Sequence, residues 1–160
     1  MNHFPQIVAL QAVANAFGNL LPQVVFVGGA TMALYATLPQ VPTPRPTDDV
    51  DCIIDVASYV QFAALEEKLR ERGFRNDVSS RVLVRWLWQA PDQEQPYQVD
   101  LMPSDGGRVL GQNVNRWYPS GMKHAQTLLL VEGLEILVLD APHFLATKFE
   151  AMHDRATDLR

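Results

Sequence analysis

The 160-residue sequence predicts an α/β (α+β) fold, a mixed β-sheet flanked by helices. Three observations carry that prediction. Hydrophobic residues recur at helical and at strand spacing by turns through the first half of the chain. Two pairs of strand-like runs follow in the second half. Glycine and proline mark the boundaries, with no internal repeat, low-complexity tract or linker. With 48% hydrophobic and 19% charged residues, a single domain over residues 1–160 is expected to bury a real core.

The elements follow in order. From Pro5 to Leu21, Ile7, Val8, Leu10, Val13, Phe17 and Leu20 recur at helical spacing, and Pro22 closes the helix. Val24 to Val27 is a β-branched and aromatic run bounded by glycine, a buried strand. Ala30 to Thr37 is rich in helix formers, and Pro39 to Pro46 is an extended loop because each proline disfavours helix for itself and its predecessor. Val50 to Val56 reads as a second strand. Ser58 caps a helix running to Arg72, with Val60, Ala64, Leu65 and Leu69 as its apolar stripe and Gly73 as its stop. Arg81 to Gln89 places Val82, Val84, Trp86 and Trp88 on one face of a strand. Pro91 to Pro96 turns the chain into a returning strand, Tyr97 to Met102. Residues 104–121 read as irregular. Gln126 to Val131 and Leu134 to Leu139 form a hairpin around Glu132-Gly133, and Pro142 opens a last helix. The order is α-β-α-β-α-β-β-β-β-α.

Composition excludes several classes. The N-terminus lacks a signal-peptide pattern, and no stretch is long enough to span a bilayer, so no membrane partner and a cytoplasmic location are expected. One cysteine, Cys52, rules out an intrachain disulfide framework and a Cys-rich zinc site. The four histidines show no metal-ligand spacing, and no Gly-x-Ser-x-Gly is present. The formal charge of -5 argues against nucleic acid at first sight. Two bound divalent cations would bring it to about -1, so charge does not decide the partner.

The stretch from Val24 to Asp55 carries the chemistry. A strand ending in Gly28-Gly29 and running into a helix exposes backbone N–H groups to an anion, although such pairs often serve only a tight turn. Neither G-x-G-x-x-G nor a Walker lysine is present. On a strand, Asp49 and Asp51 project to one face about 6–7 Å apart, while Cys52 and Ile54 point the other way. That spacing lets two carboxylates share metals roughly 3.5–4 Å apart. The ordinary alternative has Asp48 and Asp49 capping a loop and Asp51 facing solvent at a sheet edge. In Tyr97-Gln-Val-Asp-Leu-Met, Val99 and Leu101 face the core and leave Asp100 mid-strand on the opposite face, where aspartate is disfavoured without a reason. Neighbouring Asp49 and Asp51 would supply one: three carboxylates, two metals, and Asp100 as base for an attacking hydroxyl. Asp48 is then a loop residue. Lys148 and Arg155 lie two helical turns apart on one face, a basic stripe that could line the site or simply face solvent. Trp86, Trp88 and Trp117 could stack bases, but core packing is the commoner use of tryptophan on strands.

Val-Gly-Gly-Ala, then Arg-Pro-Thr-Asp-Asp-Val-Asp, then Val-Asp-Leu-Met resemble the nucleotidyltransferase superfamily of DNA polymerase β type. Asn-Arg-Trp-Tyr-Pro at 115–119 and Ala-Pro-His-Phe-Leu-Ala-Thr-Lys-Phe-Glu-Ala at 141–151 make the AbiEii/AbiGii toxin family the closer resemblance, over nearly the whole chain. The resemblance implies Mg2+-dependent (or Mn2+-dependent) transfer of a nucleoside monophosphate from an NTP, with pyrophosphate leaving. Gly28 and Gly29 would hold the triphosphate, Asp49 and Asp51 both metals, and Asp100 the metal nearer the attacking hydroxyl. Lys148 would contact the phosphates, with Arg45 and Thr47 flanking the acidic motif. The acceptor would be RNA such as tRNA, or protein, with an antitoxin as partner. Antibiotic-modifying members suggest a small hydroxylated substrate as the second reading. Relatives continue past the Arg155 and Asp158 pattern into a helix carrying Ser-x-Asp-x-x-Asp, whereas this sequence stops at Arg160. A truncated domain with part of the nucleotide pocket missing is therefore expected, and an inactive nucleotide- or protein-binding module is the third reading.

Overall fold

The computed structural model of the protein describes residues 5–35, 47–112 and 114–158. Helix α1 (Pro5–Phe17) buries Leu10, Val13, Ala14 and Phe17 at the expected spacing. It tightens into a 3-10 segment, Gly18–Gln23, instead of running to Leu21, and Pro22 sits inside that segment. Strand β1 (Val24–Val27) is buried throughout, as a central strand should be. A 3-10 turn, Gly29–Thr31, then leads into α2 (Met32–Tyr35). The expected helix to Thr37, the proline-rich loop and Arg45 continue outside the described residues.

Strand β2 (Asp49–Ile54) starts one residue before the expected run and stops two short of its end. Helix α3 (Tyr59–Glu71) is capped by the Ser58 hydroxyl, which accepts the Gln61 N–H. Its buried stripe is Phe62, Leu65 and Leu69, whereas Val60 is 76% exposed and Ala64 faces solvent. The helix turns its larger apolar surface inward, and a phenyl ring outweighs a valine and an alanine. After a short unforeseen strand β3 (Phe74–Asn76), the chain makes an Asx turn in which Asp77 accepts the Ser79 N–H and hydroxyl. That turn delays the next strand, so β4 spans Arg85–Trp88 rather than starting at Arg81. Strand β5 covers Tyr97–Pro103. Residues 104–121 hold two short helices, α4 (Gly106–Leu110), capped by Asp105, and α5 (Tyr118–Lys123). The expected hairpin is β6 (Gln126–Val131) and β7 (Leu134–Val138), followed by α6 (Ala141–Asp158).

The strands form one mixed sheet in the order β3-β4-β5-β2-β1-β7-β6. Pairing is parallel between β5 and β2 and between β1 and β7, and antiparallel elsewhere. Alternation along the strands divides the core. Val24, Phe26, Val50, Cys52, Ile54, Val99 and Leu101 pack with α1 and α3 on one face. The other face has a smaller cluster, Val25, Val27, Ile53, Leu139 and Phe144, with Tyr35, Tyr118 and Met122 against it. Asp49 and Asp51 share parity with Ile53, so they emerge on this thinly covered face.

Candidate functional site

Sheet register assembles the site. Val27 pairs with Asp51, Asp51 with Asp100, and Asp100 with Arg85, a single row across β1, β2, β5 and β4. Asp49 stands two residues earlier on β2, on the same face. One carboxylate oxygen from each of Asp49, Asp51 and Asp100 lies within 4.8 Å of the others. The three aspartates singled out from the sequence are therefore brought together. Asp48, expected to be a loop residue, sits exposed in a bend.

The cluster is under electrostatic tension. Burial pushes the Asp51 carboxyl up to about 7, and repulsion from Asp49 and Asp100 adds to it, partly offset by Lys148 and Arg85. Arg85 relieves the other two. Its Nε donates to Asp100 Oδ1 at 2.8 Å, and its Nη2 donates to Asp100 Oδ2 at 2.8 Å and to Asp49 Oδ2 at 3.0 Å. The hydrogen bonds with Asp100 raise the guanidinium further above its already high pKa. Sequence reasoning did not single Arg85 out, yet the signal was there. If Val84, Trp86 and Trp88 face the core, Arg85 must share the outer face with Asp100 on the neighbouring strand.

The two glycines have close neighbours of their own. Gly28 adopts φ +73, and a Cβ there would strike the Asp51 carboxylate. A Cβ on Gly29 would strike the Thr47 methyl. Absent side chains thus admit the acidic strand and its approach loop to the turn. After the glycines the described residues form one 3-10 turn, Gly29–Thr31, and α2 as far as Tyr35, where the described segment ends. Thr47 itself is exposed at the rim.

Lys148 reaches the site from α6. It is half-buried, with Nζ 5.6 Å from the Phe144 ring centroid. Burial lowers its pKa, Asp51 and Asp49 pull it up, and Arg155 pushes it down, for a net lowering. The segment 115–119 fixes the helix that carries it. Asn115 Nδ2 donates to the Thr147 carbonyl at 3.1 Å, and Arg116 donates from its backbone N and Nε to Glu150 at 3.2 and 3.0 Å. Tyr118 packs against the cluster on this face of the sheet, its hydroxyl pKa raised by burial and then by Asp51 and Glu150.

An all-oxygen set of three carboxylates suits a hard divalent cation such as Mg2+ or Mn2+. Asp51, which has no hydrogen-bond or ion-pair partner for its carboxylate among the described residues, is the kind of group such a cation would satisfy. The residues present fit the ion. Among the described residues, no helix is long and apolar enough to cross a membrane.

No protein-family model matches the sequence, and no curated protein matches it either. Among solved structures, the chain is similar to an antigenic nucleotidyltransferase-like protein from Paracoccidioides brasiliensis, with a TM-score of 0.53 and 16% identity. The match covers 88% of this chain and 62% of that one, so the chain spans less than two thirds of its structural relative. The architecture on which the three aspartates sit is a nucleotidyltransferase-like fold, a mixed seven-stranded sheet with flanking helices.

Proposed function

We propose that residues 1–160 form one metal-dependent nucleotidyltransferase domain, which moves a nucleoside monophosphate from an NTP to an acceptor hydroxyl. The observation that carries this reading is the convergence of Asp49, Asp51 and Asp100 from two adjacent strands of a nucleotidyltransferase-like sheet. In the proposed step, the acceptor oxygen bonds to the α-phosphorus as the bond to pyrophosphate breaks, and Asp100 takes the hydroxyl proton. Asp49 and Asp51 would hold the cation, with Asp100 completing the cluster. Mg2+, or Mn2+ in its place, would supply neutralisation of the phosphate oxygens and a more acidic hydroxyl. Lys148 steadies the triphosphate by charge, Gly28 and Gly29 present backbone N–H groups, and Arg45 and Thr47 flank the entrance.

The acceptor we favour is RNA such as tRNA, or a protein, with the chain acting as the toxin of an AbiEii-like pair whose antitoxin is its partner. The resemblance of the segments at 115–119 and 141–151 supports that choice. A second reading, a nucleotide-binding module without turnover, is favoured by one observation: Arg85 engages both oxygens of Asp100. Incubation with Mg2+, each labelled NTP and total RNA separates them. Label in RNA or protein that vanishes in Asp49→Asn and Asp51→Asn supports transfer to a macromolecule. Label on small hydroxylated molecules alone would redirect the acceptor to an antibiotic-type substrate. Nucleotide binding by calorimetry with no transfer to any acceptor would establish the binding module.

A further inference from the structure

We propose that Arg85 takes the place of one of the two divalent cations that three clustered carboxylates suggest, so that the site holds a single cation on Asp49 and Asp51. The inference rests on the metal-dependent reading above. Its geometry is a planar guanidinium fork. Nε and Nη2 meet the two oxygens of Asp100 at 2.8 Å each, and Nη2 also meets Asp49 Oδ2 at 3.0 Å. Asp100, 6% exposed, thus faces a fixed organic cation with both of its oxygens. Asp51 has no ion pair within 4.0 Å among the described residues, and Asp49 keeps Oδ1 outside the pairing.

Charge and register point the same way. Three ionised carboxylates carry three negative charges, Arg85 returns one at hydrogen-bond distance and Lys148 opposes the others from further off, which leaves charge for no more than one divalent ion. Arg85 cannot easily leave, because its backbone pairs directly with Asp100 across β4 and β5 and its side chain is only 18% exposed. A second cation at Asp100 would have to sit against that guanidinium or break a partly buried ion pair. Arg85 is therefore a positioning residue: it fixes the orientation of Asp100, a task that a second metal would otherwise perform.

Counting bound Mn2+ by electron paramagnetic resonance tests this without any turnover. The titration is run on the whole chain, alone and with one equivalent of a non-hydrolysable NTP. The expected result is one Mn2+ per wild-type chain in both cases, with any second ion bound about tenfold or more weakly. Arg85→Gln, folded by circular dichroism, should bind two ions. Arg85→Lys, which keeps the charge, should bind one. Two ions of comparable affinity in the wild type, or a count that stays at one in folded Arg85→Gln, overturns the proposal. Should Arg85→Gln fail to fold, the wild type and Arg85→Lys decide: one ion in each supports it, and a second comparable ion in either overturns it. No Mn2+ in the wild type would sink the metal-dependent reading itself, and this inference with it.

Discussion

Asp51 is where burial and charge conflict most sharply. Burial, with repulsion from Asp49 and Asp100, pushes its carboxyl up to about 7 in the folded chain against an ordinary value of 3.8. Between those values the folded state binds more protons than the unfolded state. The stabilising contribution of protonated Asp51 is therefore complete below pH 3.8 and lost as pH rises through about 7. In EDTA, Asp51→Asn should stabilise the protein at pH 8 by about 1–3 kcal/mol, a full three-unit shift discounted for partial exposure. Urea denaturation of the two chains at pH 8 measures it, and a variant less stable than wild type would contradict the account. Gly28 makes the complementary case. Gly28→Ala would place a Cβ at positive φ and against Asp51, with an expected loss of about 1–3 kcal/mol. It should also weaken Mn2+ binding, because Asp51 must move. Strand alternation made Asp49 and Asp51 legible as a pair on one face and Asp100 as a mid-strand carboxylate turned away from the core, while the pairing of β2 with β5 that joins them came only with the structure. Arg85 obeys the same alternation, but a strand read for its inward tryptophans gives no reason to single out the residue just before them.

The elements that matter most for positioning are the ones that periodicity cannot reveal. A three-residue strand and helices of five and six residues complete too few turns to show a pattern, so β3, α4 and α5 were not foreseen. Long or strongly alternating elements, α1, α3, β1, β5 and the β6–β7 hairpin, were placed within a few residues. The stripe of α3 was misassigned for a different reason: two sets of residues satisfied helical spacing, and only packing chose Phe62. Helix α5 is joined to α6 by a chain of polar contacts. Ser120 Oγ lies 2.9 Å from His143 Nε2, and His143 Nδ1 lies 2.6 Å from Asp140 Oδ1. Asp140 also accepts the His143 backbone N–H at 3.0 Å and so caps α6. The 115–119 segment then grips the same helix one and two turns further on. Glu150→Ala would release Arg116 while touching neither the carboxylates nor Lys148. Arg116 is 74% exposed but Glu150 only 13%, and two hydrogen bonds are lost, so the stability change should be about 1–2 kcal/mol. Displacement of Lys148 should nevertheless lower nucleotide transfer by about tenfold to a hundredfold. Unchanged transfer, with Mn2+ binding also unchanged, would show that the 115–119 clamp has no part in placing Lys148.

On the scale of the whole molecule, the two faces of the sheet separate the main apolar core from the acidic cluster. The α1/α3 face holds most of the buried apolar residues, from Phe17 and Phe26 to Leu69 and Trp86. The opposite face is covered by α5 and the start of α6, and the acidic row emerges beside that cover. The fold class was legible from the order of elements, whereas strand order was not: nothing local in the sequence says that β2 lies between β1 and β5. That placement is what turns two separate acidic motifs into one cluster. It also concentrates negative charge on a chain whose formal balance is already -5, so a cation bound there should stabilise the entire fold. At a free concentration one hundred times its dissociation constant, a ligand specific to the folded state contributes about 2.7 kcal/mol. For a chain of this size that raises Tm by roughly 5–10 °C. Thermal melts at pH 7.5 should therefore rise on addition of MgCl2 or MnCl2 and return with EDTA. The rise should be lost in Asp49→Asn and Asp51→Asn but retained in Lys148→Ala, since the proposed reading assigns Lys148 to the nucleotide rather than to the cation. An added NTP should extend the rise in the wild type and do so less in Lys148→Ala. A Tm indifferent to either cation at millimolar concentration would mean that the carboxylates are held together by Arg85 alone, and that the acidic row is a structural ion network rather than a metal centre.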